Sequence, residues 1–420
     1  MGKILRKRFR NPDLTLSFAF PNSTMTVTLG VEEFQGLYGP FQVSELLIQK
    51  VWLQGAFDGT RLKDHWGRRV EVISPGRWNR LAGPDFKNAI LLIDGQRVEG
   101  DVEVHFGQRD WVAHGHQLSP AYSKVILHVL YHPLAKGAPP TLTESGVEIP
   151  NVSLMPLLWY DLEAYASDDS IVESTRSGNE AAIEKLFELS IEERRERLRR
   201  QALERWELKV HFSRQRIKHC GWEEACHMTA LEVLGYAANR IPMLWVASAF
   251  PLARCRNEKP GAERLFELGR DRWITLGARP ANYPRQRLLQ YVEWMNRAPF
   301  WPSVLEDFER RLPNLQGNDF GGNSAEFRKS CGLGEWRDRF SKEVVLEQVG
   351  GAKLDTLICD GFLPLLAARN ERGLGMFWFY WFSGNAPKSV VESLKNLQVL
   401  QPRKYVLSNG WTQGILGLRA

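Results

Sequence analysis

The sequence GPDFKNAILLIDGQRVEGDVEVH, residues 83–105, predicts two β-strands joined by a tight turn. Two runs rich in aliphatic residues flank Asp94-Gly95, a dipeptide typical of two-residue hairpin loops. An antiparallel hairpin brings the start of its first strand beside the end of its second. We therefore expect Asp85, at the Pro-Asp corner before the first strand, to lie next to Glu103 and His105.

The second predicted strand carries a row of ionisable side chains. Alternate residues of a strand share a face, so Asp101, Glu103 and His105 point the same way, at steps of about 6.6 Å. Val102 and Val104 lie on the opposite face, which is therefore expected to pack against the core. Carboxylates and an imidazole on one face, close to a second aspartate, indicate a site for a divalent cation.

This arrangement resembles the core of the PD-(D/E)XK nuclease superfamily. Pro84-Asp85 supplies the PD, and Glu103-Val104-His105 supplies the second half with His in place of Lys. The resemblance implies that Asp85 and Glu103 hold Mg²⁺ or Mn²⁺ against the scissile phosphate, with the Val104 carbonyl as a further ligand. His105 departs from the pattern, because a neutral imidazole can hydrogen-bond a water but is not a fixed cation near neutral pH.

A helix predicted over residues 44–57, ahead of a strand over residues 69–74, supplies one more candidate. Glu45 lies on the helical stripe that also contains apolar residues, at the border of the buried face. Members of the superfamily often carry a glutamate on such a helix. The expected catalytic set is therefore Glu45, Asp85, Glu103 and His105.

A longer resemblance runs through most of the chain. It is carried by NRLAGPDF (residues 79–86), DVEVH (101–105), DW with HGH (110–116), VILHV (125–129), RPANYP (279–284) and QG (413–414). These stretches are similar to the uncharacterised bacterial family called domain of unknown function 2851. That resemblance names no reaction.

The histidines offer a rival site. His114-Gly115-His116 can supply two zinc ligands from one loop, and His105 and His128 are near in sequence. Against a dedicated zinc site, no cysteine is nearby and Gly115 indicates a loop rather than a rigid platform. His128 falls in an alternating strand, as a core or edge histidine would. The pattern favours the carboxylate site and leaves His116 as an auxiliary contact to phosphate or water.

Length and composition predict two domains. The chain has 420 residues, of which 43% are hydrophobic, so it can bury sizeable cores. We divide it into a basic N-terminal arm (residues 1–30), a nuclease-like domain (31–160) and a mostly helical accessory domain (171–420). The expected fold class is α+β: a mixed-sheet, restriction-endonuclease-like domain followed by a mostly α-helical domain.

Much of the excess positive charge falls within residues 192–218. The formal net charge of the chain is +6, and this segment alone holds ten Lys/Arg against five Glu. A basic helical stripe with aromatic residues can follow a phosphate backbone, which makes Arg197 and Arg200 candidate contacts to nucleic acid. The alternative is an ordinary solvated helix with Glu–Arg pairs at helical spacing.

Other features point to a soluble cytoplasmic protein with no membrane partner. The five cysteines lack paired spacing, and the basic start reaches Asn11, Pro12 and Asp13 before any apolar run. The longest apolar run, residues 376–382, is too short to span a bilayer and predicts a packed aromatic core or a partner-binding face.

Two classes of function follow from these observations. The first is a divalent-metal-dependent nuclease acting on nucleic acid, with DNA expected ahead of RNA. The second is a nuclease-like module without turnover that binds nucleic acid or joins a protein partner or a second copy, with exposed aromatics in the contact. A zinc hydrolase built on the histidines comes third.

Overall fold

The computed structural model describes most of the chain. The backbone is described for residues 16–20, 23–27, 31–36, 39–79, 81–159, 162, 165, 180–275, 282–313, 323–370, 373–384, 386–400 and 406–418. The chain divides into two compact units, one ending at Leu158 and the other beginning at Trp159.

Ten strands and two α-helices are described in the first unit. The strands are β1 (Leu16–Phe20), β2 (Ser23–Val27), β3 (Val31–Gly36), β4 (Gly39–Ser44), β5 (Val70–Ser74), β6 (Arg77–Trp78), β7 (Phe86–Ile93), β8 (Gln96–His105), β9 (Val125–Leu130) and β10 (Asn151–Ser153). The helices are α1 (Glu45–Gln54) and α2 (Arg109–Ala113).

The main sheet has the strand order β10-β9-β8-β7-β5, and β6 also pairs with β7. β7 is antiparallel to β5, β6 and β8, whereas β8, β9 and β10 run parallel to one another. The expected N-terminal mixed sheet is confirmed.

The predicted hairpin is present. Ile93 pairs with Gln96, so the loop between β7 and β8 is the two residues Asp94 and Gly95. Both have positive φ, 48° and 79°, which matches the twist of the flanking strands and favours Asp-Gly. This turn sets the register that carries the start of β7 to the end of β8.

A β-bulge interrupts β7 shortly after Asp85. Asn88 has φ 57°, and the pairing of β7 with β8 shifts between Phe86 and Ala89. Asp101 stabilises the bulge, because its Oδ1 accepts from the Asn88 amide at 3.1 Å and its Oδ2 lies 3.1 Å from the Lys87 Nζ. Asp101 is therefore engaged by the backbone and by Lys87.

The parallel pairing of β8 with β9 requires a crossover connection. That crossover consists of α2 and two short 3₁₀ turns, His116–Leu118 and Pro120–Tyr122. It leaves the sheet directly after His105 and returns to it at Val125. Residues of the crossover are thus placed beside the end of β8, where the hairpin also delivers Asp85.

Helix α1 packs on the sheet through an apolar stripe. Leu47, Ile48, Val51 and Trp52 are all buried, and the indole N–H of Trp52 donates to the Pro75 carbonyl at 3.2 Å. The helix ends at Gly55, whose φ of 60° is the left-handed cap that glycine favours. The face of α1 that meets the sheet is therefore fixed.

The second unit is mostly helical, as expected. Its described α-helices are α3 (Glu180–Phe187), α4 (Ile191–Cys220), α5 (Trp222–Leu234), α6 (Tyr236–Ala249), α7 (Leu252–Glu258), α8 (Ala262–Leu268), α9 (Pro284–Arg297), α10 (Trp301–Arg311), α11 (Ser324–Ser330), α12 (Leu333–Arg339), α13 (Gly351–Thr356), α14 (Leu363–Asn370), α15 (Gly375–Tyr380), α16 (Lys388–Asn396) and α17 (Asn409–Leu416).

Within residues 1–30, assigned to a basic N-terminal arm, β1 and β2 form an antiparallel pair. One expectation about local structure needs correction. The sequence predicts one helix over residues 184–208, but α3 ends at Phe187. Ser190 starts α4 with a capping box, in which the Ser190 hydroxyl and the Glu193 carboxylate each accept the other residue's amide proton.

The aromatic run near the C-terminus is a packed core. Phe377, Trp378, Phe379, Tyr380 and Trp381 have no exposed surface, which rules them out as exposed partner contacts. All five cysteines are free thiols. Among the described helices, none combines the length and the apolarity needed to cross a bilayer.

The Asp94-Gly95 turn can be tested with Gly95→Ala. Alanine at φ 79° is strained, so the free energy of unfolding should fall by about 1 kcal/mol. Urea unfolding followed by circular dichroism measures the change. Gly107→Ala is the control, since its φ is not left-handed and its added Cβ would make only an ordinary contact at 3.7 Å. Equal effects of the two variants would contradict the assigned turn.

Candidate functional site

Asp85 is held against the end of β8 by hydrogen bonds in both directions. Its amide donates to Oε2 of Glu103 at 2.9 Å, and the Val104 amide donates to Oδ2 of Asp85 at 3.0 Å. The structure thus brings Asp85 and Glu103 together, as the hairpin predicts.

Asn79 stabilises the corner before Asp85 with three hydrogen bonds. The Asn79 side-chain amide donates to the carbonyls of Ala82 and Pro84, at 3.2 and 3.0 Å, and the Asn79 backbone amide donates to the Asp85 carbonyl at 2.6 Å. Gly83, with φ 95°, makes the bend. The Pro-Asp corner is therefore a closed turn.

Helix α1 reaches Asp85 through Gln49. The Gln49 amide donates to Oδ1 of Asp85 at 2.7 Å, and the Trp78 indole donates to Oε1 of Gln49 at 2.9 Å. Glu45 is buried in the first turn of the same helix. Gln49 thus lies one turn after Glu45, the glutamate predicted from the sequence.

Three imidazoles gather beside Glu103. His105, His114 and His116 each offer a ring nitrogen to a cluster in which these nitrogens all lie within 4.8 Å of one another. His105 Nε2 lies 3.1 Å from His114 Nδ1 and 3.4 Å from Glu103 Oε1. His116 Nε2 lies 3.1 Å from the same Glu103 oxygen. The crossover therefore assembles the histidines that the sequence alone did not favour as a site.

A hydrogen-bond relay across neighbouring strands sets the tautomer of His105. His128 Nδ1 lies 2.9 Å from Oδ1 of Asn151, an oxygen that only accepts, so His128 carries its proton on Nδ1. Its Nε2 then accepts from His105 Nδ1 at 2.8 Å. A neutral His105 consequently presents an unprotonated Nε2 to the cluster.

Aromatic packing fixes the rings of the cluster. Tyr122 stacks on His116 with ring centroids 3.8 Å apart, and Trp111 meets His116 edge-on at 5.3 Å. Trp111 also contacts the His128 ring, at 5.2 Å. The imidazole orientations are therefore set by packing as well as by hydrogen bonds.

Burial next to a second carboxylate raises the pKa of Asp85 well above its ordinary value. Burial raises the pKa of Glu103 as well, while the Asp85 amide and the Lys87 ammonium oppose that shift. Without a bound metal ion, the pair therefore tends to retain a proton near neutral pH.

The pKa values of the imidazoles shift in the opposite direction, downward. Burial lowers the pKa of His116 to about 4 and that of His128 to about 3, and it lowers the pKa values of His105 and His114. Repulsion among the rings adds to the shift at His105. At neutral pH the cluster is a set of uncharged nitrogen donors beside two carboxyl groups with raised pKa values.

The family model described as Protein of unknown function (DUF2851) matches residues 45–268, more than half of the chain. The chain belongs to this family. Membership agrees with the sequence resemblance to domain of unknown function 2851. No curated protein and no solved structure matches the chain.

The range matched by the DUF2851 model includes the whole cluster. Of the residues predicted from sequence, Asp85, Glu103, His105 and His116 come together, and Glu45 lies on the adjoining helix. Arg197 and Arg200 belong to the second unit and are exposed on α4. Several other basic residues of α4 have structural partners; for example, Arg194 donates to backbone carbonyls and Arg216 pairs with Glu232 inside the unit.

Sequence reasoning missed Gln49, Lys87 and Asn151 as site residues. Gln49 follows Glu45 by four residues, so helical spacing would have placed both on one face. Lys87 follows Asp85 at the alternate strand position. Asn151 had no local signal, because its role depends on which strand lies beside β9.

The bond from Gln49 to Asp85 is testable by Gln49→Glu. The variant keeps the acceptor for Trp78 but places a third carboxyl where Asp85 needs a donor. We expect the free energy of unfolding at pH 7 to fall by about 1–3 kcal/mol. The introduced carboxyl is buried, so its folded-state pKa is raised. The penalty should therefore shrink as pH falls toward 5 and the group protonates.

Urea unfolding at the two pH values measures both effects of Gln49→Glu. Gln96→Glu, on an exposed position at the start of β8, should change stability by no more than about 0.5 kcal/mol. A Gln49→Glu protein as stable as wild type at pH 7 would show that the Gln49–Asp85 bond contributes nothing.

Proposed function

We propose that the chain is a divalent-metal-dependent hydrolase of phosphodiester bonds in nucleic acid, with a PD-(D/E)XK-like core. The observation that supports this best is the pair of half-buried Asp85 and buried Glu103, joined through the Asp85 amide at the meeting point of β7 and β8. The element order supports the same proposal. A helix precedes the antiparallel hairpin that bears the carboxylates, and a crossover with a parallel strand follows it.

The donor set fits a divalent cation. Each oxygen of Asp85 accepts one hydrogen bond, from Gln49 or from the Val104 amide, which leaves each a lone pair. Burial raises the pKa values of both carboxyls, so a cation between them would relieve an unfavourable pairing. Asp85 and Glu103 would hold Mg²⁺ or Mn²⁺. Such an ion neutralises charge on the transferring phosphoryl group and acidifies a bound water.

Lys87 supplies the fixed positive charge that the motif itself lacks. It follows Asp85 by two residues and lies close enough to Glu103 to lower the pKa of that carboxyl. Asp101 holds its ammonium at 3.1 Å, on the same edge of the hairpin. We assign Lys87, rather than His105, the role of charge stabilisation toward the phosphate. His105, which is neutral, offers the lone pair of its Nε2 rather than a positive charge.

The proposal predicts metal-dependent cleavage that both carboxylates control. Purified protein is incubated with single- and double-stranded DNA and RNA in Mg²⁺ or Mn²⁺, with EDTA as the metal-free arm. Asp85→Asn and Glu103→Gln should each lower the cleavage rate at least about 100-fold, since each removes a charged ligand. Glu99→Gln lies on the same strand at an exposed position and should stay within about twofold of wild type.

The outcomes separate the two classes of function. Cutting that requires metal and disappears in Asp85→Asn and Glu103→Gln supports hydrolysis at this site. Cutting that survives both substitutions indicates a different active site. No cutting of any substrate by folded protein favours the nucleic-acid-binding or assembly module without turnover.

A further inference from the structure

We propose that Glu103, His105, His114 and His116 form a tetrahedral site for a zinc-class transition-metal ion. The site shares Glu103 with the proposed hydrolytic pair. The site rests on ligand geometry and does not require phosphodiester hydrolysis.

The spacing of the donor atoms matches the edges of a tetrahedron. An ion bound at about 2.0–2.1 Å to four ligands in this geometry separates them by about 3.3 Å. His105 Nε2 lies 3.4 Å from Glu103 Oε1 and 3.1 Å from His114 Nδ1. Glu103 Oε1 lies 3.1 Å from His116 Nε2. Three edges are thus close to the required length, and the three ring nitrogens all lie within 4.8 Å of one another.

The relay behind His105 is the support that metal-ligating histidines usually have. A ligating ring typically donates its second N–H to a fixed acceptor, which sets the tautomer and orients the ring. His105 Nδ1 donates to His128 Nε2 at 2.8 Å, and His128 is held in turn by Asn151. The Nε2 lone pair of His105 is therefore directed into the cluster.

His116 provides an independent indication of a ligand. The residue is only 8% exposed, and its Nε2 makes no hydrogen bond to any described residue. The atom is close to Glu103 Oε1 without hydrogen-bond geometry between them. Buried polar nitrogens are ordinarily satisfied, and a cation at the centre of the cluster would satisfy this one.

His114 completes the set by changing its tautomer. With His105 Nε2 unprotonated, the contact of 3.1 Å requires the proton on His114 Nδ1. His114 is exposed, so that proton can leave to solvent while the other ring nitrogen takes one up. Ion binding then replaces a hydrogen bond between two rings with two metal–nitrogen bonds.

The chemistry of the donors selects the ion. Mg²⁺ prefers six oxygen ligands, many of them waters, whereas imidazole suits Zn²⁺ and its neighbours. Three neutral imidazoles and one carboxylate oxygen therefore favour Zn²⁺ over the Mg²⁺ expected for the carboxylate pair alone. Among the residues that the structure describes, the three histidines are the one group of three or more His, Cys, Asp or Glu side chains whose ligand atoms all lie within 4.8 Å of one another.

The test uses the full chain, stripped with a chelator and titrated with Co²⁺ as the spectroscopic probe. One Co²⁺ per chain should bind with the strong visible absorption of tetrahedral coordination, and one equivalent of Zn²⁺ should displace it. Mg²⁺ in large excess should not. Weak octahedral absorption only, or no stoichiometric binding, would overturn the site.

Two substitutions within the cluster and one outside it test which histidines bind the ion. His114→Ala, at an exposed position, and His116→Asn should each weaken Zn²⁺ affinity at least about 100-fold in a chelator competition. His219→Ala, in the exposed last turn of α4, should stay within about twofold. Unchanged affinity in both cluster variants, with circular dichroism showing native folds, would refute the assignment.

The same proteins test the histidine site and the proposed hydrolysis separately. Asp85→Asn should lose cleavage and retain the tetrahedral Co²⁺ spectrum. A wild-type protein with that spectrum but no cleavage would refute hydrolysis alone. Cleavage in Mg²⁺ without any tetrahedral Co²⁺ species would refute the histidine site alone.

Discussion

The reciprocal hydrogen bonds between Asp85 and the end of β8 are the constraint on which the rest of the site depends. The Asp85 amide binds the Glu103 carboxylate, and the Val104 amide binds the Asp85 carboxylate. These two bonds convert a corner outside the sheet into part of its hydrogen-bonding pattern. They also place two acids side by side, and burial raises the pKa values of both. Around this pair the neighbouring elements place an amide from α1, an ammonium from the bulge of β7 and neutral rings from β8 and the crossover.

Burial determines the electrostatics of the cluster more than any single pair does. It favours the uncharged form of every group, so the acids tend to keep protons and the histidines tend to lose them. The result is an assembly rich in lone pairs and poor in positive charge. Such an assembly is costly as a structural core, and its lone pairs are the feature on which the proposed cation sites rest. The aromatic rings of Trp111 and Tyr122 pack against His116 and hold its ring in place.

The sequence predicted the parts of this site that depend on short-range geometry. The Asp-Gly turn fixed the register of β7 and β8 next to the loop, and the bulge at Asn88 shifts that register by one residue before Asp85 comes beside Glu103. The histidine cluster could not be predicted in the same way, because it depends on the path of the crossover from His105 to Val125. Gly115 suggested a loop and was therefore weighed against a metal site, yet the loop is what brings His114 and His116 to the strand. Ser190 and Glu193 have the spacing of a capping box, which is a sequence signal for a new helix. The helical composition on both sides of Ser190 led instead to the prediction of one continuous helix.

The relay from Asn151 to His105 runs across the strands rather than along them. Asn151 is the register partner of His128, and His128 is the register partner of Glu103. A slip of one residue in either parallel pairing would turn these side chains to opposite faces. The position of a proton on His105 thus depends on a short strand that is separated from β8 by β9. A substitution in β10 that looks conservative for packing can therefore move a proton on His105, two strands away.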